Sequence, residues 1–213
     1  MNELVNYVLN NDTFPILFTY KDFEKVGYTQ DSYLSFIDEA TKMKYINCVY
    51  NNIFTLNEKY QNKIIPKGTL SQMIEPNSYI SMYYVLWDCD MIPESVFSIT
   101  SVTSYREEII DTDKYGTYIY KKLYEKTPTA GIYIQNNFNG QYKIAKPLRA
   151  LCDMVYFMKK SWTNIDSLYQ VLRIDKDSLE ENITNSDFDE LQGAFGIKNI
   201  ENFLQGIRKE LQI

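Results

Sequence analysis

A chain of 213 residues, 45% apolar and 15% aromatic, is long enough to bury one large or two small cores and too apolar to stay disordered. It has no histidine and only three cysteines, Cys48, Cys89 and Cys152, all far apart in sequence. That argues against a structural zinc site and against a Cys–His or Ser–His nucleophile. The formal net charge is −6, and residues 161–213 carry 5 basic against 10 acidic side chains. Without a broad basic face, nucleic-acid binding has to come from a local patch or from dimerisation.

The N-terminal MNELVNYVLNNDTF lacks the basic start and apolar stretch of a signal peptide, and no apolar run approaches the ~20 residues that span a bilayer. A cytoplasmic location is expected. The 19 tyrosines, with 18 lysines against 4 arginines, fit the codon bias of an AT-rich genome. They read as core and surface filler rather than as a stacking platform.

Residues 1–57 read as a small winged helix. Leu4, Val5, Val8 and Leu9 give a first helix one apolar face. Thr19 is placed to cap a short helix carrying Phe23 and Val26, which Gly27 ends. Thr29 opens a third helix to about Lys42, with Tyr33, Leu34, Phe36, Ile37 and Ala40 as its apolar positions. KYINCVY and IFTL follow as two strands, split at Asn51-Asn52, a turn suited to asparagine's tolerance of left-handed backbone. In that order the second helix of the turn is the groove reader. Gln30, Ser32 and Ser35 are its candidate DNA contacts, with Lys42, Lys44 and Asn51 or Asn52 meeting the backbone. Asp31, Asp38 and Glu39 on the same helix oppose this. The alternative is a folding or dimerisation module that does not bind DNA.

NEKYQNKIIPKGT reads as a linker and places a boundary near Ile65. Beyond it, a short helix is expected around Leu70–Ile74, then a helix capped by Ser78 and running to about Cys89. Phe97–Thr103, Tyr115–Tyr120, Gly131–Gln135 and Tyr142–Lys146 read as strands, the last two joined through residues 136–140. Pro147 sits at a favoured first-turn position of a helix that buries Leu148, Leu151, Cys152, Val155 and Tyr156. Helices 78–89 and 147–160 then flank a mixed sheet. The rest is helical, with Leu168, Val171 and Leu172, and later Ile200, Phe203, Leu204, Ile207 and Leu211, at helical spacing.

Two sets of residues bear on chemistry. Asp88 and Asp90 in WDCDM have the Asp-x-Asp form by which nucleotidyltransferases hold magnesium. The nearest upstream glycine is Gly68, too far for a phosphate turn, and at a helix end the two side chains diverge by about 200°. They read as a solvated helix end. Lys121, Lys122, Lys126, Lys143, Lys146 and Arg149 fall on or beside the strands and the following helix. Sharing a face, they would meet phosphates or an acidic partner; otherwise they are ordinary surface cations. Arg149 stands out, since a guanidinium contacts an anion more specifically than lysine does.

The blocks SYISMYYVLWDCDMIPESVFSITSV, GTYIYKKL and IAKPLRALCDMVYF (residues 78–102, 116–123 and 144–157) resemble the AbiEi family, the antitoxins of type IV toxin–antitoxin pairs. The helix block there usually reads alanine, proline, glutamate, lysine, alanine, leucine. This chain has Ala145, Lys146, Pro147, Leu148, Arg149, Ala150 and Leu151, replacing the acid with Leu148 and keeping a base at Arg149. The resemblance implies an α+β chain: a winged helix with linker over residues 1–65, then a mixed α/β antitoxin domain over residues 66–213 with a helical C-terminal part. It also implies a nonenzymatic antitoxin that neutralises a nucleotidyltransferase toxin of the AbiEii type and represses its own operon through the winged helix. Lys121, Lys122, Lys146 and Arg149 would form the antitoxin surface. Operator DNA and the toxin are the expected partners; no cofactor, metal or membrane is. The alternative is a DNA-binding regulator without a toxin partner.

Overall fold

The computed structural model describes residues 3–11, 13–60, 64–123, 129–137 and 140–212. Lys126 and the Phe138–Asn139 turn lie outside them, as does the Leu4 side chain. The architecture is α+β. The N-terminal elements are α1 (Glu3–Asn10), β1 (Leu17–Phe18), α2 (Tyr20–Glu24), α3 (Gln30–Lys42), β2 (Ile46–Tyr50) and β3 (Ile53–Leu56). Their starts and stops follow local chemistry. Thr19 and Asp22 form a reciprocal capping box on α2. The Thr29 hydroxyl accepts from the Ser32 amide at the start of α3. Asn51 takes a φ of 44° in the β2–β3 turn.

β1, β3 and β2 form an antiparallel sheet in that order, with Leu17 opposite Thr55. β1 is a strand that sequence periodicity does not reveal, because two residues carry no pattern. Under the sheet, Phe18, Phe23, Tyr33, Phe36 and Phe54 pack with Val5, Val8 and Ala40 into one core. Two expected core positions lie outside it, Leu34 at 55% and Val26 at 46% exposure.

The remainder is built on a sheet of six strands: β4 (Tyr79–Ile80), β5 (Ile99–Thr103), β6 (Glu108–Asp111), β7 (Thr117–Lys122), β8 (Ile132–Asn137) and β9 (Gly140–Ala145). Their order is β6-β7-β5-β4-β9-β8. β5 with β7 and β4 with β9 are parallel; the other neighbours are antiparallel. The helices are α4 (Lys67–Ile74), α5 (Tyr83–Asp88), α6 (Pro147–Met158), α7 (Ile165–Leu172), α8 (Lys176–Asn182), α9 (Asn185–Leu191) and α10 (Lys198–Leu211).

The expected helix from Ser78 to Cys89 is corrected here. Ser78 caps nothing; its hydroxyl donates to the Glu75 carbonyl, and Tyr79 and Ile80 become a short inner strand between β5 and β9. Both strand residues are buried, so pairing on two sides outweighs local helical preference. Only residues 83–88 remain helical, entered through Met82 at a φ of 58°. The strand expected from Phe97 starts at Ile99, leaving Phe97 84% exposed, and the one expected from Tyr115 starts at Thr117.

Close packing explains two glycines. A Cβ on Gly68 would stand 2.5 Å from the Tyr142 ring, so the glycine lets α4 lie against β9. A Cβ on Gly206 would reach 2.0 Å from the Thr163 carbonyl oxygen, which fixes how near α10 comes to the segment before α7. The core of this larger part also takes in Leu17, Val49 and Ile53, so apolar packing crosses the boundary near Ile65. Among the described residues no helix is long and apolar enough to cross a membrane.

Candidate functional site

Two surfaces hold the residues singled out by sequence. The first is α3. Tyr33, Phe36 and Ala40 turn into the aromatic core, so Gln30, Ser32, Ser35 and Lys42 fall on the exposed side. That side is not basic. Asp31 and Asp38 are exposed there too, and Lys42 Nζ donates to Asp38 Oδ2 at 2.6 Å. Ser32 is partly engaged, its Oγ 3.0 Å from the Thr29 hydroxyl at the cap. Lys44 lies past the end of α3 at a φ of 58° and lines a cavity of about 400 Å³ with Asn47, Cys48, Lys114 and Tyr115. It therefore looks towards the β6–β7 turn. With ~1.5 Å rise per residue, Gln30 and Lys42 stand about 18 Å apart along the axis. The five candidates are an N-terminal trio and a separate C-terminal pair. Asn51 and Asn52 are exposed at the hairpin turn.

The second set does not form one surface. Arg149 is the clearest correction: it is 0% exposed and cannot contact a partner. Pro147 starts α6 at the end of β9, and the next turn points inward, carrying Arg149 with Leu148 and Leu151. Arg149 Nε donates to Asp153 Oδ1 at 3.1 Å, Nη1 to the Ala130 carbonyl at 2.8 Å, and Nη2 to the Tyr79 hydroxyl at 2.5 Å. Asp153 Oδ2 accepts from Ser81 Oγ at 2.7 Å and Tyr79 OH at 3.0 Å. The guanidinium also lies 4.9 Å from the Tyr79 ring centroid and 4.6 Å from that of Phe195. Burial opposes its charge, but Asp153 and Tyr79 overcome this and hold its pKa above the ordinary value. The cluster fastens α6 to β4 and to the segment before β8. Sequence reasoning missed it, although an Arg and an Asp four apart in an otherwise apolar helix is its signal.

Lys146, one residue before α6, is also engaged. Its Nζ donates to Asp187 Oδ1 and to Glu190 Oε2, both at 2.8 Å, tying the end of β9 to α9. Those bonds raise the lysine's pKa. Burial opposes ionisation of Asp187, but Lys146 and Thr184 bond to it and hold its pKa low. The Lys146 bond and the Gly131 amide do the same for Glu190. Lys121 Nζ donates to Glu107 Oε1 at 2.6 Å across the β6–β7 edge. Lys122 is half-buried at the end of β7, and Lys143 is exposed on β9.

No protein-family model matches this chain, and no curated protein matches it. Site assignment thus rests on geometry. Asp88 and Asp90 are both exposed at the end of α5, and burial together with the Asp90 charge raises the pKa of Asp88. Among the described residues no group of three or more Cys, Asp or Glu is placed to hold a metal ion. Cys152 is buried and its thiol is pushed well up by burial, whereas Cys48 is exposed.

Proposed function

We propose that this chain is an antitoxin of the AbiEi type: a nonenzymatic regulator that neutralises a nucleotidyltransferase toxin and binds operator DNA through an N-terminal winged helix. The observation that carries this reading is the order α1–β1–α2–α3–β2–β3, with β1 closing the β2–β3 hairpin into a three-stranded sheet and α3 exposing one face. In such a unit α3 enters the major groove and the hairpin turn lies over the backbone. Gln30 and Ser35 then read base edges, and Asn51 and Asn52 meet phosphate or sugar. Support for antitoxicity comes from the sequence blocks of residues 78–102, 116–123 and 144–157, which fall on β4, α5, β5, β7 and the β9–α6 junction.

Arg149 is buried in this fold, so a toxin-facing surface on the larger unit has to use the partly exposed groups, Lys121, Lys122 and Lys146 among them, of which Lys121 and Lys146 are already ion-paired. DNA binding through α3 would use few phosphate contacts, given Asp31 and Asp38 on its face. Its salt dependence should be shallow. Gel shift of the full chain on the DNA upstream of its own gene tests the operator half. A shift that survives Gln30→Ala combined with Ser35→Ala would overturn the assignment to α3.

A further inference from the structure

A second recess lies where Lys122, at the carboxyl end of β7, meets the end of α6 and the start of α10. It encloses about 690 Å³, within the range of small-molecule sites. Among the described residues, Lys122, Lys159 and Lys198 line it with the carboxylate of Glu107, which accepts from Lys121 at 2.6 Å. In a chain of net charge −6, lysines gathered on one described wall favour an anion there over a cation. At the start of α10 the cap residue Ile197 offers no side-chain acceptor, and the Glu201 carboxylate of that first turn accepts from the Gly193 amide instead.

The rest of the lining sets the ligand's other half. Tyr156 and Phe157 meet edge to face at 5.0 Å, and both stand half-buried at the wall. The volume exceeds what an inorganic anion fills, and the rings offer a surface on which a flat heterocycle stacks. We propose that this recess binds a nucleoside phosphate. Its phosphates lie between Lys159 and Lys198 over the first turn of α10, and its base lies against Tyr156 and Phe157. Ser161 and Asn202, also on the wall, are placed to bond the sugar or the base edge.

The test is isothermal titration calorimetry of the full chain at low salt with ATP, GTP, adenosine, inorganic phosphate and a short single-stranded oligonucleotide. Saturable binding of at least one nucleotide, about tenfold or more tighter than adenosine or phosphate, is expected. Lys159→Glu combined with Lys198→Glu should weaken it by about tenfold or more, with circular dichroism showing the ligand-free variant folded at the titration temperature. Both lysines are exposed, so neither substitution buries a charge, and Lys198→Glu alone separates ligand contact from the role of Lys159 as the left-handed cap of α6. No saturable heat with any nucleotide, or equal affinity in the double variant, would overturn the proposal. So would tighter binding of the oligonucleotide through the same two lysines, which makes the recess a strand groove.

Discussion

The two cores of this molecule are built by different chemistry. The N-terminal core is a cluster of rings, with Phe23 lying 5.1 to 5.7 Å from Phe14, Phe18, Tyr33 and Phe36. Among the described residues no charged group is buried in it, and Thr55 is buried in its sheet. The larger core instead closes around Arg149 and Asp153, both 0% exposed, with Ser81 and Tyr79 satisfying the remaining oxygen. A ring cluster tolerates small shifts, since dispersion has little direction. A buried ion pair demands one arrangement, because any unpaired charge there is costly. The difference places ring packing under the unit proposed to read DNA and a buried ion pair under the unit proposed to meet a toxin.

The largest expected effect breaks the ionic core. Arg149→Ala leaves Asp153 buried without its cation and should cost about 3–5 kcal/mol, read as a lowered urea midpoint. Arg149→Met combined with Asp153→Leu removes both charges and should cost far less. Equal losses from single and double changes would mean that packing, not charge, holds α6 in place.

Phe23→Ala should cost about 3 kcal/mol or more, and hydrogen exchange should show the loss concentrated in residues 3–56. A loss spread evenly over the chain would show that Leu17, Val49 and Ile53, which join the larger core, make the two units one cooperative body.

The smallest effect sharpens the electrostatic side of the comparison. Lys146 is 37% exposed, so Lys146→Met should cost about 1 kcal/mol or less at neutral pH. Asp187 and Glu190 have lowered folded pKa values. A carboxylate of that kind adds stability above its unfolded pKa and loses it as pH falls through the lowered folded value. The gap between wild type and Lys146→Met should therefore close below about pH 4, as both acids protonate. A gap unchanged at pH 3 in urea titrations would assign the effect to the lysine's stem.

Much of the N-terminal unit was legible because its signals are local. Thr19, Thr29, Gly27 and the Asn51-Asn52 turn each mark a boundary within one turn of the chain. β1 and β4 were not, since two-residue strands have no period and exist only through their partners. Arg149 was misread for a related reason. Its helix pattern was clear, but Tyr79, Ala130 and Phe195 come from 70, 19 and 46 positions away, and only the fold brings them together. Lys146 likewise owes its state to Asp187 and Glu190, about forty residues on. The Lys42–Asp38 pair, four apart on one helix, lay in plain sequence. Its neutralising effect on α3 is the main restraint on the DNA-binding half of the account.

The most direct measurement is growth of cells expressing a nucleotidyltransferase toxin of the kind proposed as this chain's partner, with the wild-type protein or a Gln30→Ala, Ser35→Ala variant supplied in full length. The account predicts rescue by both, with operator binding lost in the variant alone. Rescue by neither, with both proteins folded and expressed, would contradict it.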